Sequence, residues 1–212
     1  MGVSRGGPGL IIKVLSMKTL REEHAQATRD AILLAAGKLF TSKGYDASSI
    51  DEIAAAARVT SGALYHHFRN KRQIMRVVFE ALEAELKERI SAAAAGAKSA
   101  SEAMRLTLRA LFDACLEDDI RSIVFEQAPR VLGWEEWRRI DAEHAMGLLL
   151  DLISRLRKER KIGTYDDNVV AVLFLAALAE AGLQIALNRN NAHLRRQCER
   201  ILKAFLRGVE AR

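Results

Sequence analysis

Three helix starts crowd into the stretch from Ser49 to Gln73. Ser49 stands three residues before Glu52, the spacing of a reciprocal capping box, and Ile50, Ile53, Ala54 and Ala57 then recur at helical spacing. Thr60 suits the N-cap of the next helix, with Val59 just outside and Leu64 four positions inside as a hydrophobic staple. Asn70 and Gln73 mark the third start, followed by Ile74, Val77, Val78, Ala81 and Leu82. The helix opened by Ser49 has room only to about Arg58, so two short helices must meet across a tight turn. A longer amphipathic helix precedes them, expected from near Thr28 to Lys43 and Gly44, with Ile32, Ala35, Ala36, Leu39 and Phe40 on one face. Such a succession makes a helix-turn-helix, in which the second short helix fits the major groove of DNA.

The outward face of that second helix has the chemistry for a polyanion. Leu64 and Phe68 point inward, His66 lies nearly opposite them with Gly62 and Arg69 beside it, and Tyr65 sits on the flank. Gly62 removes a side chain where backbone would approach DNA. Thr60, Ser61, Ala63 and His66 are placed for base edges. Thr28 and Ser49, at helix N-termini, together with Tyr65 and Lys71, are expected on phosphates.

The stretch from Thr28 to about Leu82, above all TSKGYDASSIDEIAAAARVTSGALYHHFRNKRQIM, resembles the DNA-binding domain of the TetR/AcrR family of bacterial regulators. The resemblance implies an Ω-shaped, all-helical homodimer: an N-terminal three-helix helix-turn-helix domain followed by a C-terminal helical ligand-binding and dimerisation domain. It further implies that Tyr65, His66, His67 and Lys71 contact operator DNA. Family members often carry a basic residue where this chain has Ser61. Repression is the family's usual mode, with activation the alternative.

Beyond the alanine run ending at Gly96, the remaining chain reads as helices. Ser99 and Glu102 cap one, Ile120 to Ala128 is expected to stop at Pro129, and a long helix runs from about Trp134 to Lys161. Thr164 or Asp166 restarts the chain into the nearly all-apolar Val169 to Leu187, and a last amphipathic helix follows Asn190 and Asn191. The resulting division is an unstructured extension over 1–22, the helix-turn-helix domain over 23–71 and an effector and dimerisation domain over 72–212. Met17, just before the first charged helical segment, is a possible translation start, which intact mass of the native protein decides.

Met104, Phe112, Phe125, Trp134, Trp137, Phe174 and Met146 are candidates to line a pocket for an unknown small-molecule effector, with Glu126, Arg130, His144 or Gln184 orienting it. Helical spacing alone also puts such aromatics in a core. The apolar Val169 to Leu187 points to a homodimer through the last two helices.

The formal charge of +6 on 212 residues suits an acidic partner but falls short of the density expected of a sequence-tolerant architectural DNA protein. No phosphate loop, nucleophile elbow or metalloprotease motif is legible, so an enzyme is not expected. Asp141 and His144 share a helix face, read as a solvated one, and no metal or cofactor is expected. Cys115 and Cys198 are isolated and read as ordinary helix residues in a reducing, cytoplasmic setting. No uninterrupted apolar run of about 20 residues is evident, and no membrane partner is expected.

Overall fold

The structure, a computed structural model, describes residues 8–159 and 165–208, with side chains from 21 to 205. Among these residues the architecture is wholly helical, in the order α1 (Pro8–Lys43), α2 (Ile50–Ala56), α3 (Ser61–His67), α4 (Lys71–Ala94), α5 (Ala100–Ala114), a π-helical segment (Ile120–Gln127), α6 (Ala128–Leu132), α7 (Trp134–Lys158), α8 (Asp167–Leu187) and α9 (Ala192–Gly208).

The capping signals hold in detail. The Ser49 hydroxyl accepts from the Glu52 amide while the Glu52 carboxylate accepts from the Ser49 amide, completing the reciprocal box. Thr60 accepts from the Ala63 amide and Asn70 from the Gln73 amide. The turn between α2 and α3 closes with Val59 donating to the Ala54 carbonyl and Arg58 to that of Ala55, the paired bonds of a Schellman ending. That ending requires the left-handed conformation, and Arg58 adopts it, with φ of 57°.

Three features differ from expectation. The first helix begins at Pro8 rather than near Thr28, so it runs through most of the stretch expected to be unstructured. The sequence from Lys13 to Gln26 is rich in good helix formers and carries neither glycine nor proline to stop it. Residues 1–7 lie outside the described residues, as does Thr164. Pro129 does not end a helix but sits in the first turn of α6, where its missing amide hydrogen has no partner to lose. Finally, α8 is long and apolar enough to cross a bilayer, although half of its most apolar stretch is buried inside the chain. Its buried side, including Phe174, Leu178 and Ile185, packs on α5, α7, α9 and the π-helical segment.

One apolar core runs through both halves of the chain. Ile32 and Phe40 of α1, Ile53 of α2, and Leu64 and Phe68 of α3 are almost wholly buried and continue into Phe79, Phe112 and Phe174. Helix α4 makes this continuity possible because it packs on α1 at one end of the bundle and on α5 and α7 at the other.

Candidate nucleic-acid interface and the cavity behind it

With Leu64 and Phe68 holding α3 to the core, its opposite side is left to solvent. Gly62, His66 and Arg69 are exposed, Tyr65 is 55% exposed, and Ser61, Ala63 and His67 are half-buried. Thr60 is exposed, although its oxygen is occupied in capping α3. The Ser61 hydroxyl donates to Asp51 at 2.6 Å, so its proton ties α3 to α2 and only its oxygen is free to accept.

Three phosphate assignments change. Thr28 is not at a helix N-terminus: it lies inside α1, where its hydroxyl donates to the His24 carbonyl at 2.9 Å. Lys71 donates to the carbonyls of Tyr45 and Ser48, both at 2.7 Å, and its ammonium lies 4.3 Å from the Tyr45 ring centre. Those carbonyls belong to the loop between α1 and α2, so Lys71 fixes that loop in place. At Ser49 both the hydroxyl and the amide are engaged by Glu52, whose carboxyl is held down at about 2 by hydrogen bonds from Lys43 and the Ser49 amide. Other cations border this surface: Arg58 in the turn, and Arg29, whose guanidinium sits 4.6 Å over the Phe68 ring.

Behind the helix-turn-helix, α4, α5, α7, α8 and the π-helical segment enclose a cavity of about 70 Å³. Phe125, Trp137 and His144 line it as expected. The other eight effector candidates, Met146, Glu126 and Arg130 among them, do not: Glu126 pairs with Arg121 and Arg130 with Asp46. Met104 and Phe112 are core residues, Phe174 packs against Phe205 with ring centres 5.6 Å apart, and Gln184 bonds to Glu180. Trp134 is 51% exposed and stacks on the outer side of Trp137, at 4.9 Å. Helical periodicity fixed these residues to a face without saying which neighbour would meet that face.

The cavity brings in two carboxyls that were not expected there, Glu83 of α4 and Asp141 of α7. Asp141 does not lie on a solvated face. Burial raises its carboxyl to about 6 against the opposing pull of Arg138, and burial followed by the charge of Asp141 pushes Glu83 well above the usual range. Cys115 is buried nearby, and desolvation drives its thiol up to about 12, which leaves it unreactive as a thiolate.

Polar contacts link this region to the helix-turn-helix. Gln127, the last residue of the π-helical segment, accepts from the Tyr45 amide at 2.7 Å and donates to the Phe40 carbonyl at 3.0 Å and the Ser122 hydroxyl at 2.6 Å. The Trp137 indole donates to the Val124 carbonyl at 2.8 Å, so a cavity wall grips the same segment. Arg72 bonds to the Leu132 carbonyl and pairs with Glu136, and Arg130 pairs with Asp46.

Comparison with known proteins agrees with this geometry. The family described as bacterial regulatory proteins, tetR family, matches residues 32–78, and the tetracyclin repressor-like C-terminal domain matches residues 101–209. The chain is 29% identical to the transposon Tn10 TetC protein of Escherichia coli over 72% of its own length and 77% of that protein. It is 28% identical, over the same shares, to an HTH-type transcriptional repressor of Mycobacterium tuberculosis. Its fold is similar to that of a TetR-family transcriptional regulator from Pectobacterium atrosepticum, with a TM-score of 0.77 and 31% identity, covering 90% of this chain and 97% of the other. The α2–α3 geometry and these matches over most of its length make the chain a member of the TetR/AcrR family, a DNA-binding regulator of transcription and not an enzyme.

Proposed function

We propose that the chain is a ligand-responsive repressor that acts in the cytoplasm as a homodimer, each protomer setting one α3 into successive major grooves of a near-palindromic operator. Two such half-sites lie about 34–36 Å apart on B-form DNA. The observation that carries the reading is the Gln127 bridge: the segment that supplies Phe125 to the cavity is hydrogen-bonded to the last turn of α1 and the loop before α2. An effector that favours another position of this segment would displace the helix-turn-helix and change the spacing of the two α3 helices. Only its differential affinity for the two arrangements can drive this, so operator must weaken effector binding as effector weakens operator binding.

Tyr65 then serves phosphates, Thr60, Ser61, Gly62, Ala63 and His66 face base edges, and His67 flanks them, while Ser49 has both its donors engaged by Glu52. Lys71 acts through the loop it holds. Dimerisation is supported by the apolar surface on the last two helices: Val169, Leu173 and Leu187 of α8 and Ile201 of α9 are all more than half exposed. The mode of the M. tuberculosis relative favours repression, with an activator as the alternative that a promoter-reporter assay separates.

The test is a gel-shift titration with DNA from upstream of the protein's own gene against an unrelated fragment at about 150 mM salt, where non-specific binding is weak. Selective, saturable binding is expected. Tyr65→Ala should weaken it for all sequences, and His66→Ala should also change sequence preference. Intact binding by both variants would exclude this face of α3.

A further inference from the structure

Glu83 is only 4% exposed, yet among the described residues none gives its carboxyl a hydrogen bond or an ion pair. Asp141 opposite is half-buried, likewise receives no hydrogen bond or ion pair among the described residues, and feels Arg138 only through space. A buried carboxyl without a donor costs several kcal/mol when ionised, so such groups are normally paired. Here two of them face an open volume instead of packed side chains. The cationic groups around them do not fill the gap. Lys87 of α4 also lines the cavity and His144 of α7 lies one turn beyond Asp141, but neither forms an ion pair with the two carboxyls; α8 contributes only apolar side chains.

We infer that the cavity takes a ligand with a cationic head, a protonated amine or amidine, on a compact apolar body, with the head held between Glu83 and Asp141. A cation replaces the proton that the pair would otherwise hold, and its N–H groups supply the missing donors to both carboxylates. The rings of Phe125 and Trp137 add apolar contact and a quadrupole that attracts positive charge. An adjoining cavity of about 150 Å³ shares Ile90, Thr107, Leu148 and Leu149 with the first and gives the body somewhere to lie. That volume is on the order of one that admits a benzene ring. The inference rests on the reading of this cavity as the effector site.

Calorimetric titration of the full-length protein at pH 7.5 with benzylamine, benzyl alcohol and benzoate tests it, since the three share a ring and differ in charge. Benzylamine should bind at least tenfold more tightly than benzyl alcohol, with benzoate weaker still. In the Glu83→Gln/Asp141→Asn double variant, which keeps the shape of both side chains, the preference should fall to within about twofold; its unfolding transition verifies the fold. Equal or tighter binding of the alcohol or benzoate, or a preference that survives in the double variant, overturns the cationic head and leaves the effector site standing. Binding by none of the three overturns both.

Discussion

Replacing Gln127 with methionine would remove the three hydrogen bonds that join the π-helical segment to Tyr45, Phe40 and Ser122 while nearly conserving volume. The losses are unequal. The Phe40 carbonyl keeps the Gly44 amide at 3.0 Å, and the Ser122 hydroxyl can turn to a carbonyl of its own helix. The Tyr45 amide, however, is left without its acceptor in a part-buried site. At about 1 kcal/mol for each net bond, with a further penalty for an orphaned donor, the loss should be about 3 kcal/mol in urea unfolding. Gln127→Glu separates packing from polarity. It retains an acceptor for Tyr45, but when ionised it sets an oxygen against the Phe40 carbonyl. It should therefore approach the parent near pH 5 and fall behind it as the pH rises to 8. If Gln127→Met stays within 0.5 kcal/mol of the parent, the bridge does not hold the two halves together and the reasoning fails. If the bridge also relays the state of the cavity, the same variant should bind effector normally and release operator less readily.

Three further outcomes follow from other sites. Arg58→Gly should stabilise the chain by about 1 kcal/mol, because a side chain at φ of 57° carries a strain that glycine lacks; an unchanged or lower urea midpoint would count against a strained turn. Asp141 is held at about 6 against an ordinary value near 4, so the folded chain binds this proton more tightly than the unfolded one. Its contribution is thus greatest below about pH 4 and is lost as the pH rises through about 6; Asp141→Asn should gain on the order of 2 kcal/mol over the parent at pH 7.5 and almost nothing at pH 4, whereas a gain equal at both would exclude the carboxyl as its source. At Gly182 an added Cβ would lie 2.8 Å from the far end of the Phe125 ring, so Gly182→Ala should cost about 1–3 kcal/mol and push that ring toward the cavity. Unchanged stability and unchanged ligand binding would mean that the ring has room to move elsewhere.

The sequence by itself determined the helix-turn-helix, because its information is local. Ser49 with Glu52, Thr60, and Asn70 with Gln73 satisfy the first amides of helices within three residues, so each start is written beside itself and each is observed. The exposed face of α3 follows from the burial of Leu64 and Phe68 for the same reason. Glu83 carries a weaker signal: it keeps step with Met75, Phe79 and Leu86, but the apolar residues Val77, Ala81 and Leu82 draw the face of α4 to one side of it. Asp141 and His144 interrupt the inward stripe between Ile140 and Leu149, a break that marks a cavity only once α4 is known to stand opposite. Gln127 had no sequence signal, since its partners Phe40 and Tyr45 lie more than 80 residues away. Lys71 was legible as a cation and not as a clamp, because its carbonyl partners belong to a loop that only folding brings to it. Capping and periodicity act over a turn or two of helix, whereas a cavity and a bridge exist only where distant segments meet, and those meetings were decided by the packing of the shared core.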